Sequence, residues 1–136
     1  MQRRFPDYLA IKIMTMVKIY KLNWLSKDIL EAEVYLTDGN FNIVCFSQPF
    51  NQSVESTINS PLHTLSARDI FKLTNIEKMS VEKVGVFDYK LTGRVIDKEK
   101  NQIRIGEFIL ELDSPLPNDI KINDYISVIC DRIDLY

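Results

Sequence analysis

Ile29-Leu-Glu-Ala-Glu-Val-Tyr-Leu-Thr-Asp-Gly-Asn-Phe-Asn-Ile-Val-Cys-Phe-Ser47 carries the strongest strand signal in the N-terminal half of the chain. Leu30, Ala32, Val34 and Leu36 alternate with Glu31, Glu33, Tyr35 and Thr37. Successive strand side chains point to opposite faces, so this period of two builds one apolar and one polar face. Asp38-Gly39-Asn40 follows at once, and an Asp-Gly pair supplies the positive-φ backbone that a tight hairpin needs. Phe41 to Ser47 is therefore expected to pair back antiparallel, setting Leu36 and its neighbours against Phe41, Ile43 and Cys45. Cys45 then falls in the core.

The same reading extends to both sides. Val17-Lys-Ile-Tyr-Lys-Leu-Asn-Trp24 alternates apolar and polar residues and is rich in aromatic and β-branched types, as a half-buried strand is. Further on, Phe87, Tyr89, Leu91, Gly93 and Val95 alternate with Asp88, Lys90, Thr92 and Arg94 to predict a long strand with one polar face. Asp97 to Asn101 is a charged turn, and Gln102 to Ile105 returns from it. Gly106 interrupts an apolar stretch that resumes over Phe108 to Asp113, which marks a bulge or sharp bend there. Two prolines in Ser114-Pro-Leu-Pro-Asn-Asp119 remove ladder donors and make that segment a loop. The last strand, Tyr125 to Leu135, shifts parity between Cys130 and Ile133, as a bulge near Asp131-Arg132 or burial of both strand faces would make it do.

The middle is harder to read. Residues 48–66 are rich in Ser, Thr, Asn, Gln and Pro with little periodicity, and suit a long connection, a surface loop with a short helix. Asp69 to Leu73 suits a strand, and a helix-like turn is expected over Ile76 to Lys83, where Thr74-Asn-Ile-Glu77 matches a capping box. Residues 1–16 read as a loosely held N-terminal extension with Met16 as a second candidate start, and 17–136 as a single β-barrel-like domain. Short antiparallel strands, one helical turn, and the Ile122-Asn-Asp-Tyr-Ile126 step into the final strand resemble a small Greek-key barrel of the OB type. The expected fold class is thus mainly β, a small antiparallel OB-like barrel with one short helix or helical turn in mid-chain.

With 46% hydrophobic and 26% charged residues in 136, the composition is that of a packed globular domain that folds without a metal or disulfide. The formal net charge of −2 supplies no long-range field to draw in a polyanion, so nucleic acid is disfavoured though a local basic groove is still open to it. Cys45 and Cys130 lie in apolar runs and read as buried free thiols. Lys12 breaks the only apolar run near the N-terminus, so no signal peptide or membrane helix is read, and a cytoplasmic protein is expected.

Few residues carry chemistry. His63 is the single histidine, which is thin material for a Ser-His-acid or Cys-His nucleophile. No Cys-x-x-Cys or His-x-x-x-His pair, calcium loop or Gly-rich phosphate loop is present, so neither metal nor cofactor is expected. Glu31 and Glu33 share a strand face, with Lys90 and Arg94 as natural cross-strand partners. If a ligand lies on one sheet face, Tyr20, Trp24, Tyr35, Phe46 and Phe50 are the candidate stacking aromatics, and Lys18, Lys21, Lys90 and Arg94 the candidate cations. The binding candidates are therefore Trp24, Tyr35, Phe50, His63, Lys90 and Arg94. By elimination the first functional expectation is a non-catalytic binding or protein-interaction module, of the immunity or antitoxin kind, contacting a protein partner or a second copy through a sheet edge or the 48–66 loop. An oligonucleotide- or oligosaccharide-binding OB-like barrel is the second, and a small enzyme with a carboxylate or His63 at a loop-lined pocket the third.

Overall fold

The computed structural model describes residues 16–75 and 78–136. Residues 1–15 of the predicted extension, and positions 76–77 of the predicted helical turn, lie outside the described residues. Among the described residues twelve strands form one sheet. They are β1 (Val17–Ser26), β2 (Glu31–Thr37), β3 (Asn42–Ser47), β4 (Thr57–Ile58), β5 (Leu62–Leu65), β6 (Arg68–Leu73), β7 (Ser80–Lys83), β8 (Tyr89–Asp97), β9 (Gln102–Ile105), β10 (Phe108–Glu111), β11 (Tyr125–Cys130) and β12 (Arg132–Asp134). Their order is β4-β1-β2-β3-β12-β5-β10-β9-β8-β11-β6, with β7 on the edge of β8.

The β2–β3 hairpin has the expected register: Leu36 faces Ile43 and Val34 faces Cys45. Ala32, Val34, Leu36, Ile43 and Cys45 are all buried. The Asp38-Gly39 turn does more than reverse the chain. Asp38 is only 4% exposed. Its Oδ1 accepts the Asn40 and Phe41 amides at 2.8 and 2.7 Å, while its Oδ2 accepts the Glu107 amide at 2.8 Å. One carboxylate thereby ties this turn to the turn between β9 and β10, where Gly106 has a positive φ of 58°.

Two features depart from an all-antiparallel barrel. The β3–β12 and β5–β10 pairs are parallel. The ends of the sheet, β4 and β6, are not paired with each other, so barrel closure and a Greek key are not confirmed. The parity slip in the last strand is real: Asp131 separates β11, which pairs β6 and β8, from β12, which pairs β3 and β5. Tyr89 closes an otherwise open stretch of β3. Its buried hydroxyl accepts the Val44 amide at 2.8 Å, and burial raises its pKa above the ordinary value.

The expected helical turn is absent: Ser80–Lys83 is strand β7, paired antiparallel with Tyr89–Thr92 of β8. The free edge of β8 supplies ladder partners that outweigh a weak capping pattern. The 48–66 connection is likewise not an unbroken loop, since it contains β4 and β5. Strands of two and four residues are too short to show a period, and distant backbone holds them in place. The anticipated ion pairs of Glu31 and Glu33 with Lys90 and Arg94 do not form, because β2 and β8 are not neighbours. Glu33 instead accepts the Asn23 amide at 2.8 Å.

The joint between β5 and β6 rests on Asp113. Its carboxylate accepts the Ser66 and Ala67 amides at 2.7 and 2.8 Å and the Thr64 hydroxyl at 3.1 Å. Ser66 sits at a φ of 59°, so the bend needs this support. Desolvation works to raise the Asp113 pKa, but the hydrogen bonds from Ala67, Ser66 and Thr64 outweigh it and leave it below the ordinary value. A depressed folded-state pKa stabilises the protein above the unfolded pKa of about 4, and that contribution disappears as pH falls through the folded value. Asp113→Asn should therefore lower stability at pH 7, with the gap to wild type closing in acid. Urea titrations at a series of pH values check this.

Cys45 and Cys130 are buried and unpaired, as their apolar surroundings predict. Burial pushes the Cys130 thiol up to about 12 and the Cys45 thiol up as well, so neither is an available nucleophile.

Candidate interaction surfaces

The turn between β1 and β2 carries an apolar tip. Leu25, Ile29 and Leu30 are 44%, 50% and 40% exposed. In β1 beside Leu25, half-buried Trp24 meets buried Phe50 edge to face, with ring centroids 6.0 Å apart. The tip is held in shape by its backbone: Leu30 donates to the Lys27 carbonyl at 3.2 Å, and Phe50 donates to the Leu30 carbonyl at 2.8 Å. Leu30 has a φ of 57°, a conformation that costs a non-glycine residue roughly 1–2 kcal/mol. Backbone strain of that kind is sustained only where surrounding contacts impose it, and it clusters at functional sites.

The outer face of β2, β3 and β12 has aromatic rings already engaged by the protein's own groups. Tyr35 meets Tyr20 edge to face at 6.0 Å and has the Lys21 ammonium 4.8 Å from its centroid. Phe46 carries the Arg132 guanidinium at 4.2 Å, and Arg132 forks onto Asp134 at 2.6 and 3.1 Å. His63 in β5 is in register with Asp134 on one side and Glu111 on the other. Its ring stacks on Tyr136 at 4.6 Å. Asp134 is taken by Arg132, and Glu111 accepts Gln102 at 3.0 Å. The histidine therefore sits in a saturated row, with no nucleophile bonded to it among the described residues.

Lys90 and Arg94 lie on the outer face of β8, away from the aromatics expected beside them. Arg94 is in register with Tyr125 of β11 and with Arg104 of β9. Its guanidinium donates to the Asn123 side chain at 3.3 Å, whereas Arg104 is occupied by the Gly106 carbonyl and Glu107. One step along, Phe71, Ser127, Thr92 and Ser80 form a single register row across β6, β11, β8 and β7. Directly paired residues project on the same side of a sheet, so this row presents three hydroxyls and a ring to one face. Phe71 is 61% exposed. The three hydroxyl residues open into a groove of about 440 Å³ that Leu73, Lys78, Met79 and Lys90 complete.

Comparisons with protein-family models, curated proteins and solved structures return no match to this chain. Function is therefore read from the surfaces. Among the described residues no group of three or more His, Cys, Asp or Glu side chains is placed to hold a metal ion, and no helix is long and apolar enough to cross a membrane. Of the residues singled out in the sequence, the structure joins Trp24 to Phe50 and places Lys90 and Arg94 four residues apart on one strand face, with Thr92 between them. Tyr35 and His63 stand apart from both. Leu30, expected on the apolar face of a strand beginning at Ile29, instead lies with Ile29 in the turn before β2, because its φ of 57° breaks the strand there. Sequence reasoning missed Leu25 and Ile29 as exposed apolar residues, although they flank the polar triplet Ser26-Lys-Asp28 that signals a turn. It also missed the row of Phe71, Ser127, Thr92 and Ser80, which no single strand contains.

Proposed function

We propose that this protein is a non-catalytic protein-interaction module whose docking point is the β1–β2 tip. One observation carries the reading: three exposed apolar side chains stand at one connection, Leu25 near the end of β1 and Ile29 and Leu30 in the turn before β2, where Leu30 holds a φ of 57° and its carbonyl accepts the Phe50 amide. Burying an aliphatic side chain completely stabilises by roughly 1.5–3 kcal/mol, and these three have about half of that in reserve. Lys27 and Asp28 between them are exposed and supply a polar rim, the usual border of an apolar contact. A partner with a concave apolar patch suits this tip. The cytoplasm is the compartment we assign, in keeping with two unpaired thiols.

The test is affinity capture from the source cells with wild type and two charge variants. Ile29→Asp, at a half-exposed position, should leave folding within about 0.5 kcal/mol of wild type yet weaken retention of a stoichiometric partner at least tenfold. Lys90→Glu should leave retention unchanged. Equal retention by all three proteins, or no stoichiometric partner, would sink the proposal.

The same reading includes a small curled barrel in the C-terminal half. It is supported by two runs, residues 62–73 and 125–134, that pair along their length. β8, β9 and β10 lead from the second run back to the first through the parallel β10–β5 pair. Gly93 fits such curling, because a Cβ there would lie 2.9 Å from the Arg104 carbonyl oxygen.

A further inference from the structure

We infer that the outer face of β6, β11, β8 and β7 is a nucleotide-binding site, separate from the protein-docking tip. The base would stack on Phe71 and the phosphate would lie among the hydroxyls of Ser127, Thr92 and Ser80 with Lys90 and Lys78 beside it.

The argument starts from the register. Phe71 pairs with Ser127, Ser127 with Thr92 and Thr92 with Ser80, so four side chains stand in line across four strands. Adjacent strands lie about 4.8 Å apart, so the row is roughly 14 Å from end to end, enough for one nucleotide laid across the strands. Its ends differ in chemistry. At one end is an aromatic ring, 61% exposed, in a sheet whose other large apolar strand residues are mostly buried. At the other is a groove of about 440 Å³ lined by two lysines, three hydroxyls, Leu73 and Met79. That volume falls within the range of small-molecule sites, roughly 300–1,000 Å³.

Charge decides the class of ligand. The side chains that share this face include Arg68, Lys90 and Arg94 and, from β7, one carboxylate, Glu82, in register with Lys90, while Asp69 is exposed at the irregularity in β6. Two further acids are engaged by arginines: Asp131 holds Arg68 at 2.7 Å, and Glu107 holds Arg104 at 3.2 Å. The positive balance is local to the groove, whose wall among the described residues holds Lys78 and Lys90 and no carboxylate. Lysine ammonium groups and hydroxyl donors together suit a phosphate, and a phosphate joined to a flat ring is what matches the two ends. Free nucleotides and single-stranded oligonucleotides share that chemistry. An acidic peptide would satisfy the lysines but leave Phe71 without a stacking partner.

The experiment is a titration of the full-length protein, in about 50 mM salt, with a nucleoside monophosphate, a six-nucleotide single-stranded oligonucleotide, inorganic phosphate and a six-residue poly-glutamate peptide. Wild type should bind at least one of the two nucleotide ligands at micromolar to submillimolar concentration, and more tightly than phosphate alone. Oligonucleotide binding well above monophosphate binding assigns the source as a nucleic acid strand; the reverse assigns it as a free nucleotide. Phe71→Ala should weaken binding about fivefold or more, the loss expected for one stacked base. Lys90→Gln should weaken it and flatten its salt dependence. Both positions are exposed, and unchanged thermal melting of the variants checks that they fold. The inference is overturned if neither nucleotide ligand binds, if phosphate or poly-glutamate binds as tightly as they do, or if Phe71→Ala and Lys90→Gln both leave affinity unchanged. Ile29→Asp should bind nucleotide as wild type does, which separates this site from the tip.

Discussion

Replacing Gly106 with alanine should destabilise the protein by about 3 kcal/mol. Two costs add. Gly106 has a φ of 58°, a region that side-chain-bearing residues enter at a cost. The added Cβ would also lie 2.2 Å from Oδ2 of Asp38 and 2.8 Å from Cδ2 of Phe41. Asp38 cannot retreat freely, since the same Oδ2 holds the Glu107 amide. Chemical denaturation with an unchanged m-value would show that stability alone has moved.

Asp38→Ala should cost a similar amount, about 3 kcal/mol, because three backbone amides lose an ionised acceptor at a buried position. The two substitutions are coupled by contact and should not add. With Asp38 gone, the nearest obstacle to a Cβ at position 106 disappears and the clash with Phe41 remains, so Gly106→Ala costs less in the Asp38→Ala background than alone. Additive losses would mean that the two turns are not locked by this carboxylate. A double-mutant cycle in urea measures the difference directly.

Asp38 also illustrates what a sequence can and cannot disclose. The Asp-Gly signal placed a hairpin, and the period of two placed Leu36 against Ile43 and Cys45 in the core, because both follow from neighbouring residues alone. The reach of Asp38 to Glu107 depends on bringing together residues 69 positions apart, which no local pattern encodes. β4 and β5 escaped notice for the same reason. Leu62–Leu65 becomes a strand by pairing with Arg132–Asp134 and with Leu110 and Glu111, not by any alternation of its own. The Ser80–Lys83 strand was masked by a capping pattern just before it, and the edge of β8 decided the outcome.

The candidate sites divide in the same way. Trp24 and Phe50 stood out as aromatics, yet their contact, and the exposure of Leu25, Ile29 and Leu30, depend on a β1–β2 connection whose shape the sequence only hints at. Lys90 and Arg94 were visible as the polar face of one strand. Phe71, Ser127, Thr92 and Ser80 join them only through registers between strands far apart in the chain.

The most direct test of the docking tip is photocross-linking in the source cells from a reactive amino acid placed at position 29, with position 100, in an exposed turn, as the control. The proposed interaction predicts one dominant adduct from position 29 that is absent from position 100 and lost when Leu25→Ser and Leu30→Ser are added. No adduct from position 29, or the same set of adducts from both positions, would contradict it.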